Sequence, residues 1–380
     1  MTPTPRPPEL TATDIPVLFD TVPTASGHRF GIATLNAPGA LNALSLDMVR
    51  LLAPRLADWA ADPSIAGVWL DGAGDKAFCA GGDLRQLYPT LRTHRHAANP
   101  AAEAFFSEEY ALDHLIHHYP KPVVAWAHGI VMGGGVGLMA GASHRVVTER
   151  TRLAMPEVGI GLFPDVGGSW FLQRMPGRIG LFLALTAAPL DAADTLHVGL
   201  GDVYIPHARK AAVRAAIGRT IWHGEAGEDR RHLRTLLADH GDVPAGPSRV
   251  AALAGTLDAL VAGDDLAAIG ARLRTIASDD PWLQAAGAAF AHGSPTSAAL
   301  TFALWQRTRG MTLGDVLRLE YQAALGCCAH HDFAEGIRAV LVEKDRQPRW
   351  QPATPDEVTP AFVDDHLRPR GDLPARLARL

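Results

Sequence analysis

An apolar run from Val123 to Val131 breaks into three consecutive glycines, Gly133, Gly134 and Gly135, and then into a helix of small residues. This junction constrains the chain more than any other segment. Glycines between a strand and a helix let a ligand touch bare backbone, and a helix start offers unpaired N–H groups and a partial positive charge. Downstream, Glu157 and Asp165 stand eight positions apart in an otherwise apolar segment punctuated by glycine and proline. A place to hold an oxyanion, followed by two carboxylates, suits acyl chemistry. Each feature taken singly also has a plainer reading. Gly81-Gly82 and the triplet can be turns or tight helix packing, Glu157 a surface acid paired with Arg152, and Asp165 a turn or helix-cap residue.

Periodicity orders the rest. His28 to Leu35 and Ala66 to Asp71 read as strands, Lys121 to Val131 as a third, and Arg145 to Thr148 as extended. Ser45 to Ala60 reads as an amphipathic helix capped by Ser45, with Asp47 in its first turn. Phe105 to His118 and the segment through Leu138 to Ala142 are also helical, so strands alternate with helices as in βαβ units with a mostly parallel sheet. After about Ile205 the pattern is helical throughout: Ala208 to Trp222, Arg231 to Asp239, Ser248 to Ala262, Leu266 to Ala277, Pro281 to Ala291, Pro295 to Thr308 and Leu313 to Cys327. The Gly/Pro/Asp cluster from His240 to Pro247 is the clearest internal linker.

Composition excludes several classes. The 380 residues are 47% hydrophobic and 20% charged, an ordinary globular balance, and the net charge of −5 disfavours nucleic acid as a partner. No apolar run approaches the roughly 18 residues of a membrane span. The Pro/Thr-rich start, Met1 to Leu10, lacks the apolar centre of a signal peptide and reads as a frayed terminus. Three cysteines, Cys79, Cys327 and Cys328, show no metal spacing and no even-numbered disulfide framework, which fits a reducing, cytoplasmic setting. The histidine pairs His94 and His96, His117 and His118, and His330 and His331 read as solvated faces, because neighbours at such spacing do not converge on one ion. No Gly-x-Gly-x-x-Gly supports a nicotinamide fold, and no Gly-x-Ser-x-Gly elbow supports an α/β-hydrolase.

Five segments, in order, carry a family resemblance. Phe78 to Asp83 (F-C-A-G-G-D) together with Gly133-Gly134-Gly135 resembles the crotonase, or enoyl-CoA hydratase/isomerase, superfamily. Within it, Glu109-Tyr110, Pro156 to Gly168 (P-E-V-G-I-G-L-F-P-D-V-G-G) and His331 to Asp345 (H-D-F-A-E-G-I-R-A-V-L-V-E-K-D) resemble the 3-hydroxyisobutyryl-CoA hydrolase branch. The likeness runs from about Asp20 to His366. It implies an α/β fold, a crotonase-like spiral of ββα units with a helical C-terminal region. The expected organisation is a flexible segment 1–14, a core with the active site at 15–205, and the helical region at 206–380.

The resemblance also implies roles. The N–H groups of Gly82 and Gly134 would form an oxyanion hole, with Glu157 and Asp165 as the catalytic carboxylates. Hydratases of the superfamily use two glutamates; one matches Glu157, the other matches Gly137, which cannot transfer a proton. That departure favours thioester hydrolysis over hydration. Asn42, Ala43 and Leu44, with Ala80 and Asp83, match the loop that lines CoA, and Lys344 matches a lysine near its phosphates. Arg85 and Arg92 are further phosphate candidates without motif support. The expectation is an acyl-CoA thioesterase acting on 3-hydroxyisobutyryl-CoA in valine degradation, with acyl-CoA as its small-molecule partner, no metal and no redox cofactor. It expects neither nucleic acid nor membrane, and leaves a homo-oligomer open. Two other readings stay open: an enoyl-CoA hydratase or isomerase of the same fold, and a non-catalytic CoA-binding homologue.

Overall fold

The computed structural model describes residues 15–94 and 98–380; the expected flexible segment 1–14 and His96 lie outside the described residues. Nine strands occur among the described residues: β1 (Val17–Pro23), β2 (Arg29–Leu35), β3 (Ile65–Gly72), β4 (Ala77–Cys79), β5 (Val123–Ala127), β6 (Ile130–Met132), β7 (His144–Val147), β8 (Arg152–Ala154) and β9 (Val203–Tyr204). They form a six-stranded sheet in the order β1-β2-β3-β5-β7-β9 and a three-stranded sheet in the order β4-β6-β8. Only β1 runs antiparallel to its neighbour. From β3 onward the chain visits the large sheet and the small sheet in alternation, which is the ββα spiral. Helices α1 (Leu46–Ala61), α2 (Pro100–His117) and α3 (Gly134–Ala140) fall between successive strands. Ser45 caps α1 by accepting the Met48 N–H at 3.2 Å.

The expected single strand from Lys121 to Val131 is two strands in different sheets. The break is at His128-Gly129. Gly129 has φ +62°, and a Cβ there would overlap the Lys76 carbonyl. His128 is buried beside it, with Nε2 2.9 Å from the Gly74 carbonyl. Both halves of the run are buried, so hydrophobicity continues through the turn and periodicity cannot mark it.

The large sheet buries both faces. Ala33, Leu35, Val68, Leu70, Val123 and Ala125 face α1 and α2. Phe30, Ile32, Trp69, Val124, Trp126 and Val146 face the other way, where α4 (Lys210–Arg219) and α5 (Ala226–Asp239) cover them with Val213, Ile217, Leu233 and Leu237. Trp69 and Trp126 stack there with centroids 5.2 Å apart, an arrangement worth about 0.5–1.5 kcal/mol beyond area burial.

No strand follows β9 among the described residues. The helices after it lie close to the expected ranges, and the His240–Pro247 linker separates α5 from Arg249–Leu260. The later helices α6 (Leu313–Ala329) and α7 (His331–Ile337) pack back onto the core. A Cβ on Gly161 would overlap the Asp332 carbonyl, and one on Gly336 would overlap Ile160. Asp332 accepts the Ser294 hydroxyl at 2.6 Å and the Gln351 N–H at 2.8 Å. Ser294 in turn donates its N–H to the Val158 carbonyl at 2.9 Å. The His331-to-Gly336 motif thus buttresses the turn that carries Glu157.

Candidate active site

A cavity of about 400 Å³ opens between the small sheet, α2 and the C-terminal region. Ala80, Gly82, Gly134, Glu109, Glu157 and Asp165 line it, Phe105, Phe106 and Leu162 form apolar walls, and Val340 and Leu341 stand at its edge. Two wider surface clefts, about 570 and 580 Å³, have only exposed carboxyl groups in their linings. Buried acids facing a mostly apolar cavity mark the 400 Å³ space as the chemical site.

Its backbone donors follow from local pairing. Leu44 donates its N–H to the Gly81 carbonyl and accepts the Asp83 N–H, each at 2.8 Å. Both Leu44 groups are therefore used on the residues flanking Gly82, and the N–H of Gly82 faces away from Leu44. Gly134 is the first residue of α3, so its N–H has no carbonyl one turn back to bond. A Cβ built on Gly134 would lie 3.5 Å from the Gly82 nitrogen and overlap Glu109 Oε1. The two glycines and the Glu109 carboxyl thus meet at one point.

Three carboxyls share the cavity. Glu157 begins a short 3-10 turn, Glu157–Ile160, and is only 4% exposed; its Oε2 has no hydrogen-bond partner. Burial, then the charge of Asp165, holds its pKa well above the ordinary value. Glu109 is raised by the same two causes. Asp165 accepts the Tyr110 hydroxyl at 2.7 Å. Burial pushes its pKa up to about 6, and the Tyr110 hydrogen bond opposes that rise. Of the three, Asp165 ionises most readily, and its charge discourages the other two.

The turn after Asp165 is strained and clamped. Val166 has φ +53°, an outlier for a β-branched residue, and Gly167 follows at φ +83°. Glu320 of α6, fully buried, accepts the Gly167 N–H at 2.7 Å and the Ser169 N–H at 2.9 Å. Burial pushes the Glu320 pKa up to about 8 despite those two donors. The folded protein therefore holds a proton that the unfolded chain has released, so this contribution is full below pH 4.5 and is lost as pH rises through about 8. Asp165 acts with the same sign between 3.8 and about 6. Glu320→Gln should flatten the fall of Tm between pH 4.5 and 8, while costing some stability because an amide N–H replaces one acceptor. Parallel Tm–pH curves for the two proteins would refute this account.

Gly137 also has a steric reason. A Cβ there would lie 2.7 Å from Val166 Cβ and 2.9 and 3.0 Å from the Asp113 carboxylate oxygens. Asp113 is buried, unpartnered and raised in pKa by burial and by Glu109, but it is not part of the cavity wall.

Sequence reasoning and structure part over the CoA residues. Ala80 lines the cavity. Asn42 is fully buried: its Oδ1 accepts the Ala37 N–H, and its Nδ2 donates to the Ala73 and Ala77 carbonyls. Its side chain is a loop staple rather than a ligand contact, because its amide is committed to backbone. Leu44 is buried and acts through its backbone; Ala43 is half-buried and, like Leu44, off the cavity wall. Asp83 pairs with Arg85 at 3.0 Å. Lys344 is exposed, three residues past Leu341. The expected solvated face at His330 is also corrected: its ring stacks on buried His366 at 3.8 Å and pairs with Asp365 at 3.0 Å.

Glu109, Asp113 and Glu320 carried no assigned role in the sequence reading. A signal was present. Glu109 and Asp113 fall on the stripe of Phe105, Phe106, Leu112 and Ile116, and Glu320 on that of Val316, Leu317 and Ala324. An acid on an apolar helical stripe is a buried acid.

Comparison with known proteins identifies the family. The profile of the enoyl-CoA hydratase/isomerase family matches residues 30–367. The chain is 39% identical to the mitochondrial 3-hydroxyisobutyryl-CoA hydrolase of Danio rerio, over 92% of this chain and 88% of that protein. It is 36% identical to the Homo sapiens protein of the same name, over 90% and 86%. Among solved structures, one named as a carnitinyl-CoA dehydratase from Mycobacterium thermoresistibile superimposes with TM-score 0.81 at 38% identity, covering 93% of this chain and 96% of that one. An enoyl-CoA hydratase from Rhodobacter sphaeroides 2.4.1 gives TM-score 0.81 at 36% identity, covering 93% and 98%. The names of these relatives divide between thioester hydrolysis and hydration or dehydration, so the chemistry has to be argued from the site. The chain belongs to the enoyl-CoA hydratase/isomerase family, in the branch of the 3-hydroxyisobutyryl-CoA hydrolases.

Proposed function

We propose that this enzyme hydrolyses the thioester of a short branched 3-hydroxyacyl-CoA, with 3-hydroxyisobutyryl-CoA as substrate and the free hydroxy acid and CoA as products. The observation that carries the reading is the pair of carboxyls, Glu157 and Asp165, facing one cavity whose wall also holds Gly82 and Gly134. The two glycine N–H groups bind the thioester oxygen and stabilise the negative charge it gains on attack. Glu157 attacks the carbonyl carbon to give a mixed anhydride that water then opens, or it takes a proton from the water that attacks directly. In either route a C–O bond forms, the C–S bond breaks, and the thiolate leaves and takes up a proton. Asp165, held by the Tyr110 hydroxyl, orients the 3-hydroxyl or the water and assists departure of the thiolate. Ala80 and Asp83 border the pantetheine path. Lys344, exposed beyond the cavity edge, meets the CoA phosphates. This chemistry calls on no metal or redox cofactor, and it is a step of valine degradation.

The hydration reading is favoured by the names of the two superimposed structures. It needs a second acid where this chain has Gly137. The space beside that glycine is filled by Val166 and Asp113, and Asp113 is outside the cavity wall. The test is thiol release from 3-hydroxyisobutyryl-CoA, measured beside hydration of crotonyl-CoA. Thiol release should dominate, with hydration at least about a hundredfold slower, the lower range for a missing proton-transfer group. Efficient hydration without thiol release would overturn the proposal.

We place the enzyme in the cytoplasm. The three cysteines are all free and buried, which supports a reducing compartment. Among the described residues no helix is long and apolar enough to cross a membrane. The Danio rerio and Homo sapiens relatives are named as mitochondrial.

A further inference from the structure

We propose that His223, Glu228 and His232 form a binding site for one divalent transition-metal ion, Zn²⁺ by the chemistry of its donors, on the face of the large sheet opposite the carboxylate cavity. Glu228 and His232 are four apart on α5 and so share one side of that helix. His223 comes from the loop just before it. One donor atom from each residue lies within 4.8 Å of the other two, with His223 Nε2 4.0 Å from Glu228 Oε1. Donors around a tetrahedral Zn²⁺ at about 2.0–2.2 Å from the ion sit roughly 3.3–3.5 Å apart. Closing the cluster therefore takes about an ångström of side-chain movement. His223 and Glu228 have that freedom, with 44% and 43% of their side chains exposed.

The backbone that presents these side chains is already fixed. Asp229, 1% exposed, accepts the N–H of His223 at 2.9 Å and of Gly224 at 3.0 Å. The helix that carries two donors thus also holds the backbone of the third. Trp222, 1% exposed, anchors the loop from the other side: its indole donates to the Ile217 carbonyl at 3.0 Å, and its N–H to Ser26 Oγ at 3.0 Å. Trp222 packs with Phe30, Leu233 and Leu237 in the core of the second sheet face. Two imidazoles and one carboxylate on a braced scaffold match the donor set of zinc, with remaining positions open to water. Bound there, the ion clamps the loop onto α5 and stabilises the layer that covers this face. The site shares no residue with the cavity, and the large sheet stands between them.

The experiment is a Zn²⁺ titration of the full-length protein, stripped beforehand with a chelator, read by calorimetry and by Tm, with Co²⁺ as a spectroscopic substitute. One ion per chain and a rise in Tm are expected. His223→Gln and His232→Gln should each weaken binding at least tenfold and abolish the Co²⁺ ligand-field bands, since even outer-sphere partners of a metal site cost 10–100-fold when removed. His197→Gln, at an exposed histidine outside the cluster, should bind as wild type. Thioester cleavage should be unchanged in all three, which separates this test from that of the proposed function. The proposal is overturned if no Zn²⁺ binds, or if binding persists at wild-type strength in both cluster variants. The second result would place the ion outside this cluster.

Discussion

Glu157→Gln should lower kcat for thioester cleavage by at least about a hundredfold while leaving the fold and CoA binding intact. The change is nearly isosteric, so the cavity keeps its shape. What it removes is the only state of this side chain that can attack a carbonyl or accept a proton. Burial and the neighbouring Asp165 charge raise the pKa of Glu157, so wild-type kcat/KM should climb with pH as the carboxyl ionises, and the variant should lose that limb. The same shift carries a stability cost with a definite sign. A buried acid with a raised pKa destabilises the fold as pH rises through that pKa, so the variant should gain Tm relative to wild type on the alkaline side. Single turnover in ¹⁸O water separates the two routes. Label entering the Glu157 carboxyl supports the anhydride, and its absence supports direct attack by water. Near wild-type turnover by the variant would displace Glu157 from the centre of the mechanism.

Why the segment carrying Glu157 was legible and the partners of Glu320 were not is a matter of distance along the chain. Pro156-Glu157 and Pro164-Asp165 lie in a short segment where glycine, proline and acid stand against an apolar background, and it is the family resemblance of that contiguous segment that assigns the two acids their catalytic roles. The long helices were legible for a related reason: α1 and the helices after β9 repeat their apolar stripe over several turns. Glu320 matters only because α6 returns across 153 positions to receive the Gly167 N–H, and no local pattern encodes that return. The β5–β6 break was hidden because burial on both sides of Gly129 erases polarity contrast. Asn42 is named through its match to the family's CoA loop, with a turn role equally open, and its positive φ of 55° and three backbone partners show its side chain serving the loop itself. The acids at 109 and 113 could have been found, since each interrupts an apolar stripe that otherwise runs from Phe105 to Ile116.

Gly134→Ala should be the more damaging of the two glycine substitutions in the oxyanion site. The added methyl would overlap Glu109 Oε1 and sit 3.5 Å from the Gly82 nitrogen, in the space where the two donors and the carboxyl meet. Either Glu109 swings away or α3 shifts, and both disturb the position proposed for the thioester oxygen. A loss of about 10²–10³ in kcat is expected, the size associated with one lost oxyanion donor, although alanine keeps its N–H. Gly82→Ala meets softer neighbours. Its methyl would lie 2.9 Å from Phe105 Cζ and 3.4 Å from Leu84 Cδ2, the far ends of side chains that can move by a few tenths of an ångström. That variant should fold, keep measurable activity and show its effect mainly in KM, because Phe105 is pressed into the acyl cavity. Circular dichroism and Tm on both variants distinguish lost catalysis from lost fold. Wild-type kcat in a folded Gly134→Ala protein would mean that the thioester oxygen binds elsewhere, and the backbone donors would lose their role in the reaction.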